Sequence, residues 1–252
     1  MLLLVFLIFI LILIVFTQST DMNVSELWRY PVKSMAGELL PEAEVGEMGI
    51  AGDRVLYVVD GKGEVLSART RPKLLLHRGG VDAAGEPTVD GIPWEDPAVS
   101  RLVAEAGEPS DGAHLVRATA GERFDVLPLL IATDGAIAAT GVDRRRFRPN
   151  LLLGGVEGLA ERGWEGKFLR IGKAVIGLAS LRQRCVMTTW DPDTIKQDKR
   201  VLVDIYARFE GTLALNAWAV IPGRVKVGDT VELVEKFETD GPPVTGRYVT
   251  GG

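Results

Sequence analysis

The chain has 252 residues, with 29 Lys and Arg against 34 Asp and Glu, a formal charge of −5 and 46% apolar content. That length admits one large domain or two small ones, and the composition is that of a chain able to bury a core without staples. The mild acidity runs against a nucleic-acid surface, one Cys excludes an internal disulfide and every multi-Cys zinc site, and two His leave little for an imidazole metal cage.

Met1 to Phe16 are all apolar, and no charge precedes Asp21. A helix of that length spans about 24 Å, short of a hydrocarbon core near 30 Å. Three readings stand: a short anchor holding a cytoplasmic domain to a membrane, an unusual export signal, or a true start at Met22. No Lys or Arg flanks the run to orient an anchor, and Met22 directly precedes the first segment of soluble character. Residues 1–21 are therefore set apart as a hydrophobic N-terminal segment.

From Val24 the chain reads as short strands punctuated by Gly, Pro and Asp. Arg54 to Val59 and Glu64 to Ala68 flank Asp60-Gly61-Lys62-Gly63, which predicts a hairpin. Asp96 is placed to cap a helix starting at Pro97, with Val99, Leu102, Val103 and Ala106 on one face and Gly107 ending it. A second helix is expected from near Thr133 or Asp134 to Gly141. Phe168 to Ile171 and Ala174 to Ala179 predict another hairpin around Gly172-Lys173. Ala217 to Ile221, Arg224 to Val227 and Thr230 to Val234 read as three strands joined by two tight turns. The polar stretch Gly79 to Pro93 is the expected connection between an N-terminal unit, 22–95, and a larger one, 96–237. The tail, 238–252, is rich in Gly, Pro and Thr and is expected to be irregular.

Three clusters carry chemistry. Cys185 lies in Leu181-Arg182-Gln183-Arg184-Cys185-Val186-Met187-Thr188-Thr189-Trp190-Asp191-Pro192-Asp193, where Arg182 and Arg184 supply positive potential that favours a thiolate. A buried, inert Cys is the alternative for that residue taken alone. Arg144-Arg145-Arg146-Phe147-Arg148-Pro149-Asn150 offers four guanidinium forks for a multiply charged anion, or a solvated basic loop, and Pro149 biases Arg148 to extended backbone. Lys33-Ser34, with Gly52-Asp53-Arg54, again suits a phosphate or oxyanion, surface decoration being the alternative. His77, after three leucines, reads as a packed or capping residue. No phosphate-binding loop, dinucleotide fingerprint or nucleophile elbow is present.

Together, Trp28-Arg29-Tyr30-Pro31-Val32-Lys33-Ser34, Gly52-Asp53-Arg54, Phe147-Arg148-Pro149-Asn150, Arg184-Cys185-x-x-Thr188-Thr189-x-Asp191-Pro192-Asp193 and Val225-Lys226-Val227-Gly228-Asp229 resemble the MOSC family in kind, order and spacing. Within the family the chain is similar to the mitochondrial amidoxime reducing components and their bacterial relatives, and the likeness runs from Val24 to about Lys236. It implies a β-rich mixed α+β chain, with an N-terminal MOSC-type β-barrel unit, a C-terminal MOSC β-barrel domain and a few short helices.

The resemblance further implies a molybdenum cofactor (Mo-molybdopterin), with Cys185 as the metal-ligating, catalytic thiolate. Lys33, Ser34, Arg54, Arg69, Thr133, Arg148, Asn150 and Arg184 are the implied cofactor-binding set. The implied activity is reduction of N-hydroxylated or N-oxygenated small molecules by oxygen removal at molybdenum. Electrons would come from a separate flavin, haem or iron–sulfur protein, since one Cys cannot build a cluster in this chain. The alternative is sulfur transfer or cofactor maturation through a Cys185 persulfide, as in the MOSC domain of cofactor sulfurases. No pyridoxal-phosphate site of the kind those enzymes carry is evident here.

Overall fold

Frequent turn residues cut the chain into short strands, and pairing partners far apart in sequence then assemble them. The computed structural model describes residues 22–119 and 123–246. The apolar run before Asp21, with the anchor, signal and start-site readings placed on it, lies outside them. In the first half the strands are β1 (Asn23–Arg29), β2 (Glu38–Leu40), β3 (Glu42–Gly46), β4 (Gly49–Ile50), β5 (Leu56–Val59), β6 (Val65–Leu66), β7 (Gly79–Val81), β8 (Pro87–Val89), β9 (Ile92–Pro93) and β10 (His114–Arg117). The second half adds β11 (Leu129–Thr133), β12 (Leu151–Gly154), β13 (Phe168–Ile171), β14 (Ala174–Gln183), β15 (Thr212–Ile221), β16 (Gly223–Lys226) and β17 (Val231–Val234). The helices are α1 (Pro97–Ala106), α2 (Asp134–Thr140) and α3 (Arg200–Phe209). The protein is β-rich with few helices, as its turn density leads one to expect.

Eight strands form one sheet in the order β17-β13-β14-β15-β11-β12-β1-β2. Only β11 and β12 pair in parallel, and α2 makes the crossover between them. The first described strand is thus built into a sheet made mostly by strands from Leu129 onward. Its register sets Leu27 opposite Leu151, and the Trp28 amide donates to the Asn150 carbonyl at 2.8 Å. This pairing is what brings the Tyr30-to-Ser34 segment alongside Arg148 and Asn150. The sheet encloses a large apolar cluster that includes Val24, Leu27, Ile131, Leu151, Leu153, Leu169, Ile176 and Leu215, all essentially inaccessible to solvent.

A second cluster joins Val32, Met35, Leu56, Val58, Leu74 and Val89 to the apolar face of α1. Asp96 caps that helix by accepting from the Ala98 amide at 2.7 Å; Val99, Val103 and Ala106 are buried and Leu102 is half-buried. The hairpin β5–β6 forms with Asp60 accepting from the Lys62 and Glu64 amides, and β13–β14 turns through Gly172 at φ 56°. His77 caps the short 3-10 turn Pro72–Leu76 and bonds Asp90 at 2.7 Å, the capping role among the two expected of it.

Several elements differ from expectation. Gly79 to Pro93 is not a plain connection but a three-stranded antiparallel sheet, β7-β8-β9. The strands β15, β16 and β17 exist but do not pair with one another in turn, because β16 pairs with β3 and β17 with β13. Helix α3 was not anticipated. Arg148 is not extended before Pro149 but stands at φ 56°. Between Phe237 and Gly246 no regular element occurs, and among the described residues no helix is long and apolar enough to cross a membrane.

Candidate functional site

The sequence clusters meet in one cleft of about 210 Å³. Two backbone junctions build its floor. Tyr30 and Arg54 lock together: the Tyr30 amide donates to Asp53 Oδ1 at 2.7 Å, the Arg54 amide donates to the Tyr30 carbonyl at 2.8 Å, and the Lys33 amide donates to the Leu56 carbonyl at 2.7 Å. Asn150, fully buried, then ties that junction to the sheet. Its Nδ2 donates to the Trp28 carbonyl, while Oδ1 accepts from the Leu130 amide and from Arg54 Nη1, each at 3.2 Å.

Of the residues implied by the resemblance, Lys33, Ser34, Arg54, Arg69, Arg148, Asn150, Arg184 and Cys185 all line this cleft. Ser34, Arg54 and Arg148 hold left-handed backbone, at φ 75°, 50° and 56°. Non-glycine residues at such angles cost about 1–3 kcal/mol each and persist where the surroundings over-determine them, often at functional sites. Thr133 does not line the cleft. It is the buried N-cap of α2, accepting from the Ala136 amide at 3.2 Å and donating to Glu161 at 3.1 Å.

Cys185 is half-buried and follows the end of β14, on the strand-end position expected of it. The threonines after it shape the turn: Thr188 Oγ1 donates to the Cys185 carbonyl at 2.9 Å and Thr189 Oγ1 to the Val186 carbonyl at 2.6 Å. Asp191 closes the following loop by accepting from the Thr194 amide and hydroxyl, and pairs with Arg146; Asp193 pairs with Arg145. The Asp-Pro-Asp motif therefore fastens the cysteine turn to the arginine cluster rather than entering the cleft. Arg144 is likewise spent on Glu26, so only Arg146 and Arg148 of the four arginines reach the cleft.

The electrostatics are dominated by cations. Burial pushes Arg148 down to about 10 and, with Arg182 alongside, Arg184 to about the same value. Arg184 Nη2 donates to the Phe147 carbonyl at 2.8 Å, while its buried Nε has no partner. A buried guanidinium among other cations, in a residue that lines the cleft, favours an incoming anion. One acid, Asp125, lines the cleft with this set, and the motifs gave no sign of it; a second, the buried Asp53, pairs with Arg54 without lining the cleft. Asp125 receives Lys33 Nζ at 2.9 Å and the Nη2 atoms of Arg69 and Arg182 at 3.1 Å each. Burial pushes the Asp125 carboxyl up, but Lys33, Arg182 and Arg69 outweigh it and bring it to about 2.

Among the described residues, no three His, Cys, Asp or Glu side chains converge as a metal site. The donor set in the cleft is one soft thiol beside a run of guanidiniums. It suits a ligand that brings its own metal donors and presents a phosphate to the arginines, and it does not suit a bare ion. Fold and cleft together define a β-rich protein with a cation-lined cleft.

Comparison with known proteins makes this specific. Residues 21–108 match the MOSC N-terminal beta barrel domain and residues 130–232 the MOSC domain, so the chain belongs to the MOSC family. It is 26% identical over 238 aligned positions to mitochondrial amidoxime reducing component 2 of Macaca fascicularis, covering 72% of this chain and 70% of that one. It is 24% identical over 289 positions to mitochondrial amidoxime-reducing component 1 of Homo sapiens, covering 84% and 83%. Among solved structures, the YUAD protein from Bacillus subtilis is 13% identical, with a TM-score of 0.47 over 86% of this chain and 97% of that one.

Proposed function

We propose that the protein is a molybdenum-cofactor oxidoreductase that removes oxygen from N-hydroxylated small molecules such as hydroxylamines and amidoximes. The observation that carries this reading is the placement of Cys185 in the same cleft as Lys33, Arg54, Arg148 and Arg184. The relatives named as amidoxime reducing components support it from outside the structure.

In this reading Cys185 holds the metal, and Lys33, Ser34, Arg54, Arg148 and Asn150 hold the phosphate and pterin of the cofactor. Arg69 and Arg184 complete the cationic rim. A molybdenum cofactor supplies a metal already gripped by two dithiolene sulfurs and able to cycle by two electrons with transfer of oxygen. The protein's share is orientation and insulation. Arg54 and Arg148 are half-buried and held at left-handed backbone angles beside the Tyr30 ring, so little reorganisation is needed to meet an anion. Reduction of a hydroxylamine to the amine consumes two electrons and two protons and releases water. These 252 residues hold one Cys and two His, too few to build an iron–sulfur cluster, and in this reading the electrons are brought by a separate redox protein.

The test is turnover: protein made in a host that synthesises the cofactor should reduce hydroxylamines and amidoximes with a reduced dye as electron donor. A fully molybdenum-loaded protein with no such reduction overturns the reading. Sulfane sulfur on Cys185 in protein that takes up no metal would favour sulfur transfer instead.

A further inference from the structure

The arginines of the cleft have a second neighbour that is not a carboxylate. Arg148 makes no ion pair among the described residues; its Nη1 donates to the Met35 carbonyl, and its guanidinium carbon lies 4.3 Å from the centroid of the Tyr30 ring. The Arg54 guanidinium carbon lies 5.3 Å from the same centroid. Tyr30 is only 2% exposed, and its hydroxyl has no hydrogen-bond partner, so its polar end does not fix the side chain. The ring is fixed by packing. Trp28 stacks on it at 6.1 Å with 13° between planes, and Gly37 passes so close that a Cβ there would stand 2.5 Å from ring Cδ1.

Two guanidiniums this close repel; Arg54 is already paired with the buried Asp53, whereas Arg148 has no carboxylate partner of its own among the described residues. A carboxylate paired with Arg148 would neutralise the charge the ligand must find. An aromatic face attracts a cation through its quadrupole and leaves the net charge in place. We infer that Tyr30 is the positioning residue of the anion cradle, its ring holding Arg148 in the cleft beside the Asp53-paired Arg54 while Arg148 keeps its full charge for a phosphate. This rests on the reading that Arg54 and Arg148 receive the cofactor's phosphate.

The test uses cofactor-free protein from a host that cannot make the cofactor, with inorganic phosphate as the probe and calorimetry as the readout. Tyr30→Leu should weaken phosphate binding about tenfold or more, and Tyr30→Phe, which keeps the ring, should stay within about twofold of the parent. Leu169→Ala, destabilised in the distant core, should lose stability but not phosphate affinity. If Tyr30→Phe weakens binding as much as Tyr30→Leu, the ring is not the agent and the inference fails. If Arg148→Gln abolishes binding while Tyr30→Leu leaves it intact, the cradle stands and this inference falls. If Arg148→Gln itself leaves binding intact, the cradle reading falls. Should Tyr30→Leu fail to fold, NMR of the parent decides: the Arg148 side-chain protons must show a ring-current shift that persists in Tyr30→Phe, and its absence overturns the inference.

Discussion

Replacing Asp125 by Asn tests the electrostatic core of the site. Asp125 is the shared partner of Lys33, Arg69 and Arg182, and its side chain is 23% exposed. Burial alone would raise its carboxyl, yet Lys33, Arg182 and Arg69 hold it at about 2 against an ordinary 3.8. At about 1.4 kcal/mol per pH unit, the ionised form contributes about 2 kcal/mol to folding at neutral pH. The folded value is depressed, so this stabilisation is fully present above about pH 4 and is lost as the pH falls towards 2. Asp125→Asn removes it and leaves three cations facing one another. Cofactor-free Asp125→Asn should therefore melt about 4–8 °C below the parent at pH 7. The gap should narrow as the pH is taken below 4, and inorganic phosphate should raise the melting temperature of the variant more than that of the parent. Thermal unfolding followed by circular dichroism reads all three. A variant that melts within 1 °C of the parent at pH 7, or a gap that does not change with acid, refutes the reasoning.

Three further outcomes follow from the same geometry. Asn150→Ala orphans the Trp28 carbonyl and the Leu130 amide in a buried junction, and should cost about 2–4 kcal/mol by urea denaturation. Thr133→Ala removes the N-cap of α2 and should cost about 1 kcal/mol; because Thr133 does not line the cleft, molybdenum content should follow the folded fraction and fall no further. Arg145→Ala, whose charge is spent on exposed pairs with Asp143 and Asp193, should change phosphate affinity less than twofold by calorimetry, whereas Arg148→Gln should lower it tenfold or more.

Much of the site was legible because its residues sit in short motifs whose chemistry is local. Lys33-Ser34, Asp53-Arg54, Arg148 to Asn150 and Arg184-Cys185 each announce an anion or a thiolate, and sheet pairing then brings them together. Asp125 was not legible. It is 92 residues from Lys33 and 57 from Arg182, and an acid ahead of an apolar strand carries no local mark of three distant cations. Helix α3 escaped for a different reason: its N-cap, Lys199, makes no side-chain capping bond, and Val201, Val203, Ile205 and Tyr206 have the look of a strand. The pairing of β16 with β3 joins segments about 180 residues apart, and no turn signal records it. At Arg148 the usual bias before proline is overridden, because the Met35 carbonyl and the Tyr30 ring hold the side chain in place. Of the four arginines in that loop, sequence offered no way to tell the two that reach the cleft from the two spent on Glu26, Asp143 and Asp193.

The central claim is that Cys185 holds a metal delivered by a phosphate-bearing cofactor. Elemental analysis of protein purified from a cofactor-producing host, with Cys185→Ser alongside, tests it most directly. Near-stoichiometric molybdenum in the parent, with little in the equally folded variant, is the predicted result. A well-folded parent free of both molybdenum and pterin, or a Cys185→Ser protein that retains the metal in full, would contradict it.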